Sequence, residues 1–193
     1  MPRPDRSRTA LMQTAGSLFR RQGYAATGIN QILAEAQVKP GSLYHHFPDG
    51  KQQLAAAVVE VVGGDIEQLL RKLLERGAPV ADVVDGWINV LVAGLAADER
   101  DGCPIEPIAS ESVHGSPLIR EASAKVFASW SNAVTERLAT DGWAPADADR
   151  TGLAVVALIE GALILSRVAG NPDALHAAQV AARSLLTDQA DRS

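Results

Sequence analysis

Three side chains near the middle of the chain, Cys103, Glu111 and His114, are of types that could perform nucleophilic catalysis. They would supply a thiol nucleophile, an orienting carboxylate and a general base within 12 residues. No glycine-rich phosphate loop and no His-Glu-x-x-His motif accompanies them in the sequence. We therefore predict that the protein is not an enzyme. Cys103 is either a small buried residue, which we favour, or a thiol that senses oxidants or electrophiles.

The two adjacent histidines, His45 and His46, do not suit a metal site. Neighbouring side chains on a helix point about 100° apart, so the two imidazoles would not bind one ion. The single cysteine excludes an internal disulfide and a cysteine-based zinc site, and it fits a reducing compartment. We predict no metal, no cofactor and no catalytic residue.

The composition indicates a folded protein outside the membrane. The 193 residues are 47% hydrophobic, which is enough to offset the entropy of the chain. The longest near-apolar run, Leu153 to Leu165, has 13 residues, whereas a helix that spans a bilayer needs about 20. The basic N-terminus lacks the apolar core and the cleavage site of a signal peptide. These features predict a cytoplasmic location and no membrane partner.

The net charge of −5 is divided unevenly along the chain. Residues 1–51 hold seven basic and three acidic side chains, a balance of +4, and the remaining residues hold 11 basic and 20 acidic ones, a balance of −9. Such a split indicates a nucleic-acid-binding segment joined to a body that does not bind nucleic acid, although chance clustering would also produce it.

Apolar residues recur at helical spacing, and no stretch shows the alternation that is typical of a strand. We predict an all-α protein in which three short helices precede longer ones. Thr27 is expected to cap the second helix, and Asp49 with Gln52 the fourth. The Gly63-Gly64 pair is expected to bend or break this fourth helix. The predicted helices span about 6–22, 28–36, 42–47, 51–73, 83–95, 119–140, 145–169 and 171–186.

The segment from Gly28 to Leu54, GINQILAEAQVKPGSLYHHFPDGKQQL, carries a family resemblance. It resembles the helix-turn-helix DNA-binding domain of TetR-family transcriptional regulators, most specifically in the core GSLYHHF followed by lysine and leucine. With the preceding helix, the resemblance covers residues 6 to about 60. The string GCPI at 102–105, the string ASE at 109–111 and the extra Gly50 resemble the LmrA/YxaF-type subgroup.

The resemblance implies a set of DNA contacts around the third helix, which would enter the major groove. Residues that match Thr27, Tyr44 and Lys51 meet phosphates in similar regulators, and such contacts position the protein without reading sequence. Thr27 could instead be only a cap, and Tyr44 only packing. Arg3, Arg6 and Arg8 form either an arm on DNA or a solvated tail. Side chains that we expect in the groove or at base edges are Gln31, Lys39, Gly41, Ser42 and His45.

The remaining helices are expected to form a regulatory body. We divide the chain into a DNA-binding domain, residues 1–51, and a ligand-binding and dimerisation domain, residues 52–193. An apolar cavity would be lined by Trp87, Leu91, Cys103, Ile108, Phe127 and Trp130, with Glu111 and His114 as polar groups. The apolar helix at 153–165 is covered either within the chain or by a second copy, where Gly161 would allow close approach. The interface residues predicted in the second case are Val156, Ile159, Glu160, Leu163, Arg167, Val180 and Arg183.

Together these observations predict a transcriptional regulator that binds double-stranded DNA. The resemblance implies a homodimeric repressor that binds a palindromic operator and is released by a small-molecule effector. An architectural DNA-coating protein is the alternative in another class, and the acidic body argues against it because such proteins favour basic surface throughout.

Overall fold

The computed structural model describes residues 6–98 and 102–187, and every regular element in these ranges is an α-helix. The predicted all-α class is confirmed. Most predicted helix bounds agree with the structure to within a few residues, and one short helix, α6, was not predicted. The helices are α1 (Arg6–Gln22), α2 (Ile29–Ala36), α3 (Pro40–His46), α4 (Lys51–Glu75), α5 (Val80–Ala97), α6 (Glu106–Ser112), α7 (Pro117–Thr140), α8 (Pro145–Ala169) and α9 (Asp173–Thr187).

The chain divides into two compact units. The first contains the chain up to Gly64 together with Cys103–Val126, and the second contains Asp65–Gly102 together with the chain from Phe127 onward. This division does not follow the predicted boundary at residue 51, because α6 and the first part of α7 pack into the same unit as α1, α2 and α3. We call the two parts the head unit and the body unit.

The core of the head unit is an apolar cluster centred on α1. Contacts join α1 to α2, α3 and α6. Leu43 of α3 and Phe47, which directly follows this helix, are both buried, as their i, i+4 spacing on one side of the helix requires. The buried side chains of the cluster are Leu11, Ala15, Leu18, Phe19, Ile32, Leu33, Leu43, Phe47, Leu54 and Val58.

The fourth helix corrects two sequence-based expectations. It runs unbroken through Gly63 and Gly64 for 25 residues, so the predicted break is wrong. Gly63 instead permits close helix packing, because a Cβ there would lie 2.3 Å from Cγ1 of Val126 on α7. The predicted capping box is also displaced, because it is Gln53 whose Oε1 accepts from the Asp49 N–H, at 3.0 Å. Gln52 accepts a hydrogen bond from the Ser116 hydroxyl instead.

The body unit is built around α8 and α9, which contact each other and α5. Gly170, in the left-handed conformation with φ 69°, ends α8. The Asn171 carboxamide then accepts from the Asp173 N–H at 3.1 Å, at the start of the last helix. Arg183 of α9 pairs with both Asp82 and Asp85 of α5, which ties these two helices together.

The two sides of α8 differ in how the chain covers them. Val156, Ile159 and Leu163 are buried inside the protomer, so these three predicted interface residues belong to its own core. Arg183, a fourth, has its charge paired within the protomer. Five apolar residues that α8 exposes lie on the opposite side of the helix, namely Leu153, Ala157, Ile164, Leu165 and Val168. We call these five residues the α8 stripe.

Two helices, α5 and α8, are long and apolar enough to cross a membrane when length and composition alone are considered. Core helices of soluble proteins have the same properties, so this observation is weak. The α5 helix also carries the two aspartates that pair with Arg183, and burying such a charge network in lipid is costly.

Candidate nucleic-acid interface

A tight turn joins α2 to α3 and has the form of a helix-turn-helix. Gln37 ends α2 in the left-handed conformation, with φ 55°, and its N–H donates to the carbonyls of Leu33 and Ala34 in the last turn of α2. The Val38 N–H bonds the Leu33 carbonyl at 3.0 Å. Pro40 then starts α3, since its fixed φ suits the first turn of a helix. These bonds fix the angle between α2 and α3.

The outward side of α3 presents a mixed aromatic and polar surface. Gly41, Tyr44 and His45 follow the i, i+3, i+4 spacing and are all exposed, and the Tyr44 side chain is 53% exposed. Lys39, the N-cap residue, is exposed beside them, and Ser42 is half-buried. The structure therefore brings five of the predicted DNA contacts to one exposed surface, which we call the α3 face.

Thr27 is not on this surface. Its side chain is fully buried, and its hydroxyl donates to the Gly23 carbonyl at 2.7 Å. The N-cap of α2 is Gly28, which makes no side-chain cap bond, so the predicted cap at Thr27 is wrong. The exposed Asn30 in the first turn of α2 is a polar side chain that was not among the predicted DNA contacts. Its position next to an uncapped helix start is the signal that could have identified it.

Gln31 is held in place by a polar network on α1 and α2. Its Oε1 accepts from Nε2 of Gln22 at 2.9 Å, and its Nε2 donates to the Glu35 carboxylate at 2.9 Å. The Gln22 amide also donates to the Ala26 carbonyl. Both ends of the Gln31 carboxamide are therefore oriented before any DNA is bound.

His46 and Arg8 each contact another side chain of the head unit. The His46 ring bonds the Ser7 hydroxyl at 3.2 Å, which links α3 to α1. Arg8 lies over the Phe47 ring, with its guanidinium carbon 5.6 Å from the centroid, and Arg6 is exposed at the start of α1. Arg3 lies outside the described residues.

Lys51 lies at the start of α4 and is only half-exposed. Its ammonium nitrogen is 4.1 Å from the centroid of the Tyr24 ring, a distance suited to a cation–π interaction. Burial lowers the pKa of the Lys51 ammonium, and the nearby negative charge of Glu111 opposes that change. Glu111 was predicted as a polar group of the effector cavity, but its carboxylate accepts from the Ala25 N–H in the α1–α2 loop at 2.5 Å.

The remaining predicted cavity residues fall into both units. In the body unit, Trp130 makes edge-to-face contacts with Trp87 and Phe127 at 5.9 and 5.4 Å between ring centroids, and Leu91 is half-buried on α5. In the head unit, Cys103 and Ile108 are buried and His114 is exposed. The burial favoured for Cys103 is confirmed, and its sulfur accepts from the N–H groups of Ile105 and Glu106. Within the described residues, no group of three or more metal-ligating side chains occurs.

Comparisons with known families agree with the helix-turn-helix geometry. Residues 11–58 match the family described as "Bacterial regulatory proteins, tetR family". Residues 78–181, more than half of the chain, match "Transcriptional regulator LmrA/YxaF-like, C-terminal domain". The chain belongs to the TetR family of transcriptional regulators. It is a DNA-binding regulator of the LmrA/YxaF type, and the resemblance drawn from the sequence is confirmed.

Two relatives in Bacillus subtilis strain 168 cover most of this TetR-family chain. The HTH-type transcriptional regulator YxaF is 34% identical over 161 residues, which are 83% of this chain and 84% of YxaF. The regulator LmrA is 33% identical over 166 residues, 86% of this chain and 88% of LmrA. These families and relatives are transcriptional regulators, as predicted in preference to an enzyme. The crystal structure of a regulatory protein TetR from Rhodobacter sphaeroides shares the fold, with a TM-score of 0.82 at 22% identity over 95% of this chain and 100% of that one.

Proposed function

We propose that this TetR-family regulator is a homodimeric repressor that binds a palindromic operator and is released by a small-molecule effector. The observation that carries the proposal is the α3 face, where Lys39, Gly41, Tyr44 and His45 are exposed together on a helix fixed by a tight turn. A bound dimer would exclude other proteins from the DNA that it covers. Because the chromosome is the target, we place the protein in the cytoplasm.

The α3 face suits contacts to both the backbone and the bases of DNA. The Tyr44 hydroxyl and the Lys51 ammonium group would meet phosphates, and such contacts set affinity and salt dependence. Lys39, Ser42 and His45 would meet base edges in the major groove, and the preset Gln31 carboxamide would approach from α2. The space beside Gly41 is open to the DNA, because no atom of the protein lies within 4 Å of a Cβ built there.

A second copy of the chain would cover the α8 stripe. Its five apolar side chains lie within about 120° of the helix circumference, which matches the apolar face of a helix-bundle interface. Val180 of α9, also predicted at the interface, is exposed, and Glu160 and Arg167 of α8 are half-buried beside the stripe. Dimerisation would place two α3 faces on successive major grooves, about 34 Å apart.

An effector would bind in the helical body and favour a different spacing of the two α3 faces. The aromatic cluster of Trp87, Phe127 and Trp130 supports an apolar or aromatic effector, since edge-to-face rings present both ring faces and ring edges to a ligand. Contacts of Leu91, Cys103, Ile108 and His114 with that effector remain predictions from the sequence.

The DNA-binding part of the proposal is tested with duplexes enriched by the full-length protein from a random-sequence pool. We expect inverted-repeat sequences to be enriched and to bind one dimer or a multiple of it. The variants Lys39→Met and Tyr44→Ala should each weaken binding at least tenfold without lowering the melting temperature. Lys125→Met, which removes an exposed lysine from α7 in the same unit, is the matched control and should bind like the wild type. Enrichment of asymmetric sequences would contradict the palindromic operator.

Effector release is tested by adding a library of apolar and aromatic small molecules to the same protein–duplex complex. A true effector should release the duplex and also change the tryptophan fluorescence, because Trp87 and Trp130 belong to the aromatic cluster at which it would bind. Molecules that change the fluorescence and never lower DNA affinity would argue against effector-controlled release.

A further inference from the structure

The head unit contains a carboxylate that faces a proposed DNA contact. Glu111, at the end of α6, reaches the α1–α2 loop and accepts a hydrogen bond from the Ala25 N–H at 2.5 Å. Its negative charge acts on the ammonium group of Lys51, which lies 4.1 Å above the Tyr24 ring. Glu111 is hydrogen-bonded to Ala25, and the ring of the adjacent Tyr24 carries the Lys51 ammonium group, so the carboxylate would attract the lysine and repel a phosphate that approached it.

The glycine at position 23 makes room for this carboxylate. A Cβ on Gly23 would lie 2.3 Å from Oε1 of Glu111, so any other residue would displace the acid. Gly23 also has φ +86°, in the left-handed region that favours glycine, and its N–H bonds the Phe19 carbonyl. The left-handed conformation of Gly23 and the hydrogen bond from the Ala25 N–H therefore define one position for the Glu111 carboxylate.

We propose that Glu111 is a positioning residue that competes with the DNA backbone for Lys51. In the free protein, the Lys51 ammonium group packs on the Tyr24 ring, and the charge of the anchored Glu111 carboxylate attracts it. DNA binding then requires Lys51 to exchange these partners for a phosphate, and that exchange reduces operator affinity. The inference rests on the proposed role of Lys51 as a phosphate contact.

Because Glu111 belongs to α6 of the head unit, the competition depends on where α6 holds its last turn. A shift of α6 that withdraws Glu111 from Ala25 would free Lys51 for DNA, and a shift that keeps the contact would preserve the lower affinity. Glu111 thus sets the strength of DNA binding without touching DNA.

The test is a double-mutant cycle on duplex binding. Glu111→Gln keeps an acceptor for the Ala25 N–H and removes the charge, and Glu121→Gln removes a charge from an exposed position on α7 of the same unit as the matched control. We expect Glu111→Gln to raise affinity for the enriched duplex about two- to fivefold more than the control does, which is the range of a partly exposed charge pair. In a Lys51→Met background, this extra gain should disappear.

Three results would overturn the inference: a gain no larger than that of Glu121→Gln, a gain that persists with Met at position 51, or a loss of affinity. The wild-type melting temperature serves as the check that the variants are folded. Failure of the proposed function is distinguishable, because the wild-type protein would then enrich and bind no duplex at all.

Discussion

Gly63 of α4 and Val126 of α7 pack so closely that a methyl group at position 63 would lie 2.3 Å from Cγ1 of Val126 and 2.6 Å from Cγ2. Real Cβ atoms do not approach other atoms this closely, and the branched valine has little freedom to turn aside. The neighbouring Gly64 has no atom within 4 Å of the corresponding position.

This pair of glycines predicts opposite effects for the same substitution. Gly63→Ala should lower the free energy of unfolding by about 1–3 kcal/mol, as overpacking does. Gly64→Ala should leave it unchanged or raise it by about 0.5–1 kcal/mol, because alanine costs less backbone entropy in a helix. Urea unfolding followed by circular dichroism measures both changes. Equal effects of the two substitutions would contradict the packing described for α4.

Exposed side chains of the α3 face should differ in what they control. His45→Ala should change which bases are preferred at particular operator positions, with a discrimination of about 1–3 kcal/mol lost at each affected position. Tyr44→Phe should instead weaken all sequences alike, by about 0.5–1.5 kcal/mol, because it removes one hydroxyl from a phosphate contact. Competition binding with single-base variants of the enriched duplex separates the two. Unchanged base preference in His45→Ala would remove this residue from direct readout.

The α8 stripe predicts where charge blocks dimerisation. Leu165→Glu should dissociate the proposed dimer, because the side chain is 61% exposed in the protomer and would be desolvated by a partner. Val90→Glu on α5 is the control, since Val90 is 69% exposed and lies outside the stripe. Sedimentation velocity at micromolar concentration gives the oligomeric state. A dimer that survives Leu165→Glu and dissociates with Val90→Glu would place the interface on α5.

Acid should weaken the body unit through Glu67. The hydrogen bond from Arg71, at 2.8 Å, lowers the pKa of the Glu67 carboxyl below its ordinary value of 4.5. Since the folded-state pKa is the lower one, the pair adds stability above pH 4.5, and this contribution is lost as the pH falls through the folded-state pKa. Glu67→Gln should therefore flatten the fall in unfolding free energy as the pH drops below 4.5. Glu75→Gln, at an exposed position of α4, should keep the wild-type profile.

Local signals explain why most of the fold could be predicted. Pro145 and Gly170 bound α8 in the sequence as they do in the structure, because one fixes φ at a helix start and the other adopts the left-handed conformation at its end. The short α6 was not predicted, since seven residues carry too little periodicity. The side of α8 that faces the core could not be predicted either, because the sequence is apolar around most of the helix.

Site residues that lie on a single helix could be predicted from the sequence. Contacts between segments far apart in the sequence could not. The α3 face follows from spacing within a single helix, which the sequence contains. Thr27 has the residue type of a cap, but the N-cap of α2 is the next residue, Gly28. The Thr27 hydroxyl bonds the Gly23 carbonyl instead. Glu111 and Ala25 are 86 positions apart, and no local pattern connects them.

The Gln22–Gln31–Glu35 network has a consequence for how operator preference can evolve. Glu35 accepts from the amide nitrogen of Gln31 and Gln22 donates to its oxygen, so the two neighbours decide which end of the carboxamide points in each direction. Replacing Glu35 with a donor such as lysine would favour the reversed orientation, in which Gln31 offers an acceptor where it previously offered a donor. If Gln31 makes the base contact proposed for it, a substitution at Glu35 would therefore change operator preference by reorienting Gln31.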